Sequence, residues 1–120
     1  MNPDRSFHRG ASLEALRHQV PHLPQVLKAD LSVGDILLVK TRNSLYHIRA
    51  VGSGEYTVAG GWFDRNGKSP LRTTIAGCTW GGSVIKIDVA AACGLCIEFG
   101  NRVTTTAVQM IVTIPRAMIN

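Results

Sequence analysis

Hydrophobic positions along this chain change their period once, near residue 31. Before that point Leu13, Leu16, Val20 and Leu23 recur at steps of three and four, the spacing of one helix face. Ser12 is placed to cap a short helix from Leu13 to about Gln19, with Glu14 in its first turn, where the helix dipole favours a carboxylate. Pro21 and Pro24 end that helix close to His18. Residues 1–30 therefore read as an arm. Its stripe, Leu13, Leu16, Val20 and Leu23, is expected to cover an open end or edge of the remainder, or to dock on a second chain.

From Leu31 onward the period is two. Val33-Gly34-Asp35 spells a turn, and Ile36-Leu37-Leu38-Val39 is a continuous apolar run of the kind a strand covered on both faces shows. After Arg42-Asn43-Ser44, Leu45 to Val51 alternates, with Tyr46, Ile48 and Ala50 on one face and His47 and Arg49 on the other. Gly52-Ser53-Gly54 reverses the chain into a strand from Glu55 to Ala59. Asp64-Arg65-Asn66-Gly67 carries the Asn-Gly hairpin signal, which predicts a return strand from Leu71 to Ala76.

Trp80-Gly81-Gly82 then makes a corner, with Trp80 expected to plug the domain. The strand Ser83 to Val89 is expected to turn Ile85, Ile87 and Val89 inward and Lys86 and Asp88 outward. Ala90 to Cys93 reads as a small-residue connection. Leu95, Ile97 and Phe99 point inward and Cys96 and Glu98 outward, and Arg102 to Ile114 is a long β-branched strand after the Gly100-Asn101 turn. The pattern predicts a mainly β fold, a small antiparallel β-barrel or sandwich of six to eight strands spanning 31–120, with the arm as an appendage.

Composition alters this picture little. The 120 residues are 45% hydrophobic and 18% charged, with 12 Gly and 5 Pro, as expected of one globular domain rich in tight turns. Two Trp, two Tyr and three Phe leave a mostly aliphatic core. A formal charge of +5 favours negatively charged partners, although the basic residues are scattered and form no basic run. Three cysteines and no charged-then-apolar leader near Met1 imply a reducing, cytoplasmic setting. Apolar stretches are far shorter than the roughly 18 to 20 residues that span a bilayer, so no membrane insertion is expected.

Candidate chemistry is sparse. Cys93-Gly94-Leu95-Cys96 has the spacing of a dithiol or half a zinc site, but it enters a predicted strand and puts its thiols on opposite faces. A zinc site would have to recruit Cys78 and a fourth ligand such as His47, and is the weaker alternative. Gly60-Gly61 and Gly81-Gly82-Ser83 match no phosphate-loop fingerprint. No serine has a nucleophile's setting, and Asp35, Glu55, Asp64, Asp88 and Glu98 are too dispersed to pair. Neither an enzyme nor a cofactor is expected.

The run from Val33 to Tyr46, with Gly81-Gly82-Ser83 and the strand after it, resembles small bacterial β-domain proteins to which no activity is assigned. The resemblance covers about residues 31–114 and implies a stand-alone β domain; it carries over no functional residue. The leading expectation is a non-enzymatic protein-binding or assembly module, with self-association included. The alternative is a single-stranded nucleic-acid-binding barrel, in which rings stack bases and cations hold phosphates. Either would use Arg42, His47, Arg49, Arg72 and Lys86 as partner surface.

Overall fold

The computed structural model describes residues 24–81 and 84–119, and these form a mainly β fold, as the alternation predicts. Nine short strands occur among the described residues: β1 (Gln25–Leu27), β2 (Ile36–Thr41), β3 (Leu45–Gly52), β4 (Glu55–Gly60), β5 (Leu71–Thr79), β6 (Ile85–Lys86), β7 (Val89–Ala92), β8 (Cys96–Phe99) and β9 (Val108–Ile114). Two short helices accompany them, α1 (Gly61–Arg65) and α2 (Arg116–Ile119). Seven strands make one curled antiparallel sheet, a half-barrel, in the order β6-β5-β4-β3-β2-β9 with β8 also on β5; β1 and β7 make a small second sheet.

The curl follows from which face is apolar. Leu37 and Val39 of β2, Tyr46, Ile48 and Ala50 of β3, Tyr56 and Val58 of β4 and Ile111 of β9 all turn to the concave side and are buried. A sheet that buries one face against itself must bend around it. β2 lies between β3 and β9 and is sheltered on both faces, as its unbroken apolar run requires. Leu95, Ile97 and Phe99 point inward as predicted. Beyond β8 the backbone is tied sideways: the Thr105 N–H donates to Ile97 O, and the Val108 N–H to Leu95 O. The start of β9 is thereby stitched to β8 and the curl drawn inward.

Several expectations need correction. The strand expected from Ser83 to Val89 is only Ile85–Lys86, followed by a turn at Ile87 and Asp88. β6 belongs to β5's sheet while β7 pairs with β1, so the chain changes sheets between them and the alternation is cut there. Residues 90–92, expected as a connection, belong to β7, in which all four side chains are buried; Ala-Ala-Ala lets a strand lie close against the core. The strand expected from Arg102 begins only at Val108. β1 falls before residue 31, with Val26 in the core. With β1 and β7 the strands exceed the six to eight expected. The predicted helix from Leu13 and the docking residues Leu13, Leu16, Val20 and Leu23 lie outside the described residues.

The largest correction concerns the plug. Asn66-Gly67 does not turn a hairpin; it ends α1, with the Asn66 N–H on Trp62 O, the Gly67 N–H on Asp64 O, and Gly67 left-handed at φ 66, a common helix C-terminus. That helix delivers Phe63, fully buried, edge-on to Tyr46 (centroids 6.3 Å) and to Phe99 (5.1 Å). Trp80, expected in this role, is 63% exposed. Gly60 makes the entry to α1 feasible: its φ is 97 and a Cβ there would collide with the Leu45 carbonyl of the neighbouring strand.

These two aromatic positions should respond in opposite ways. Phe63→Ala is expected to lower stability by about 3–5 kcal/mol, the usual cost of emptying a buried aromatic site, whereas Trp80→Ala should stay within about 0.5 kcal/mol. Urea denaturation followed by circular dichroism measures both. Equal losses would mean that Trp80 is a core residue after all.

Candidate partner surface

Alternation along β3 sends His47 and Arg49 to the convex face, opposite the core side chains Tyr46 and Ile48. Register then places Arg49 across from Ile36 on one side and Thr57 on the other, and Thr57 across from Arg72. His47, Arg49 and Arg72 thus share one face of the sheet. Arg42 sits apart, at the β2–β3 turn. Arg72 is held by Glu55, Nε to Oε1 at 2.5 Å, with both side chains well exposed, so part of its charge is already answered.

Lys86 belongs to a different surface. It lies on β6, an outer strand of the sheet order, with its Nζ 5.2 Å from the centre of the Trp80 ring, a cation–π contact. Around it the chain shows apolar side chains to solvent: Trp80, Val84 and Ile87 are 63%, 62% and 61% exposed. Trp80 and Lys86 also line an open recess with Pro24, Gln25, Cys93 and Leu95. Tyr46, Tyr56, Phe63 and Phe99 are buried and Trp62 is half-buried, leaving Trp80 as the open ring among the described residues.

Of the five residues expected to form one surface, three are brought together, and Arg42 and Lys86 are not. Trp80 and Ile87 were read in the sequence as core, because alternation marks apolar positions without saying which are covered.

The cysteines do not gather into the weaker alternative, a zinc site. Among the described residues no three His, Cys, Asp or Glu side chains come together as a metal ion requires. Cys93-Gly94-Leu95-Cys96 spans the tight turn that leaves β7, with Gly94 at φ 88, and enters a strand as expected, Cys96 being the first residue of β8. Cys78 is fully buried, its Sγ 3.6 Å from Val89 O, and burial pushes its thiol up to about 11.

Comparison with protein-family models, curated proteins and solved structures finds no match to this chain. The reading of its surface rests on the geometry alone.

Two titration outcomes follow. Burial, and secondarily the Arg49 charge, hold the His47 imidazole below its ordinary value of 6.5. The unfolded chain thus takes the proton more readily, so this contribution is intact above pH 6.5 and is lost as pH falls below it. An NMR titration is expected to place the His47 midpoint below 6.5 and to move it upward in Arg49→Ala; a midpoint at or above 6.5 contradicts the assignment. Because the thiolate is the reactive form, Cys78 should resist iodoacetamide at pH 8 in the folded chain and react once denatured, as read by mass spectrometry.

Proposed function

We propose that this chain is a non-enzymatic binding or assembly module that docks another protein chain through its β6 edge. The observation that carries the reading is the exposure of Trp80, Val84 and Ile87 within eight residues of an outer strand. Large apolar side chains scattered singly are ordinary on a protein surface, whereas a cluster that includes a Trp is what interface centres are built from. Lys86, stacked on the ring, supplies a charge at the rim. An outer strand also offers unpaired backbone groups to a partner.

Single-stranded nucleic acid is the reading the basic face invites. It asks for successive exposed rings beside the cations. Trp80 and half-buried Trp62 are what the described residues offer, and Arg72 is already paired with Glu55. Protein docking is therefore the better supported of the two.

The test compares the full chain with Trp80→Ala and Ile87→Asp, both at exposed positions, using size exclusion with light scattering and affinity capture from cell lysate. The unaltered chain is expected to run above its 13.0 kDa monomer mass or to retain a stoichiometric partner protein. Each substitution should abolish that association while leaving the urea midpoint unchanged. A strict monomer that captures nothing, or an association indifferent to both substitutions, would overturn the reading.

A further inference from the structure

A second surface, away from the β6 edge, has a more definite chemistry. Where β9 runs into α2 the chain returns across the start of β2, leaving an open groove of about 800 Å³ lined by Ser32, Gly34, Asp35, Arg49, Arg116 and the apolar Pro115, Ala117 and Ile119. Arg49 and Arg116 are both among its lining residues, and among the described residues neither is in an ion pair.

The one carboxylate in the groove is already occupied. Asp35 is buried; its Oδ2 accepts the Ser32 N–H and its Oδ1 the Arg116 N–H, both at 2.8 Å. A carboxylate whose oxygens accept backbone N–H groups is committed to the turn it stabilises. It anchors the main chain of Arg116 without pairing with that residue's side chain. The stem of Arg116 lies across Gly34, so closely that a Cβ there would stand 2.9 Å from its Cδ. Arg49 is fixed from the other side, on the middle of β3, across from Ile36. The groove is thus lined by two arginines on braced backbone, with apolar residues beside them.

We propose that this groove binds a doubly charged oxyanion of the phosphate monoester class. Two arginine forks offer the planar, paired donors that phosphate oxygens take up, which a lysine would not. A phosphate monoester carries about −1.5 to −2 at pH 7, and the two arginines, outweighing the Asp35 carboxylate, attract it. Pro115, Ala117 and Ile119 give the organic group of an ester a place to lie. The inference does not depend on docking at the β6 edge, which uses none of these residues.

Titrating the full chain with inorganic phosphate, and separately with glycerol phosphate, while following amide NMR shifts tests the proposal. Saturable shifts at residues 32–35, 49 and 116–119 are expected. Affinity should drop about tenfold or more in Arg49→Ala and in Arg116→Ala, the loss usual for one charge-assisted pair, and stay unchanged in Arg72→Ala. Arg49→Lys, which keeps the charge without the fork, should also weaken binding and guards against a folding artefact. Tighter binding of glycerol phosphate identifies an organic monoester as the ligand, and equal binding identifies the free ion; both support the assignment. It is overturned by shifts that never saturate, by binding insensitive to both alanine variants, by acetate binding as tightly as phosphate, or by a single-stranded oligonucleotide binding there when phosphate does not.

Discussion

The half-barrel depends on one contact set: Phe63 held edge-on between Tyr46 and Phe99. Tyr46 belongs to β3 and Phe99 to β8, and their rings also meet each other, centroids 6.1 Å apart, so Phe63 completes a three-ring cluster. Its position is prepared locally. Gly60 lets the backbone turn beside Leu45, α1 lifts Phe63 inward, and the Trp62 N–H donates to the Tyr46 hydroxyl at 3.5 Å. Asp64 ties the base of the helix, accepting the Gly60 N–H at 3.0 Å and the Ser69 hydroxyl; those bonds hold its carboxyl below the usual range. With two Tyr and three Phe in the whole sequence, placing three of these rings in one cluster leaves the rest of the core mostly to Ile, Val, Leu and Ala, with Tyr56 and Cys78. Such a core packs closely only where the sheet curls.

Where one face of a strand is buried throughout, the sequence shows which residues face inward as well as the type of element. β3 is the clearest case: Tyr46, Ile48 and Ala50 are inside and Leu45, His47 and Arg49 outside, because a slip of one residue would invert every one of them. β2 was legible for the opposite reason, a run with no polar break sheltered on both sides. The reading failed where local signals have two meanings. Asn66-Gly67 suits a hairpin and a helix end alike, and only the bonds reaching back four residues to Trp62 and three to Asp64 decide between them. Ile85, Ile87 and Val89 alternate as a strand does, but the chain passes from one sheet to another in their midst, which no period can report.

The same ambiguity explains why the two surfaces differed in legibility. His47, Arg49 and Arg72 could be found because charge on an alternating strand points away from the core, and the register then assembles them on one face. Trp80 and Ile87 could not, since apolar character alone argues for burial. Arg116 was invisible for another reason. Its relation to Arg49 is made by β9 pairing with β2 in antiparallel register, Ile36 against Ile114, a contact 78 residues apart in sequence that nothing local announces.

That pairing also shows how the fold separates its tasks. The plug sits on α1 and the core draws on inward positions of every strand but β6, while the exposed apolar residues Trp80, Val84 and Ile87 flank β6, which contributes no buried side chain to the core. The arginine groove draws on an outward residue of β3 and on the segment after β9. Neither surface borrows a core side chain, so substitutions at Trp80, Ile87, Arg49 or Arg116 leave the packing that maintains the sheet intact. The strand edge and the groove are therefore free to vary in chemistry while the half-barrel stays the same. The structural demands on this sequence are concentrated instead in Gly60, Phe63 and the small residues of β7, where an added carbon or a lost ring is felt by several strands at once.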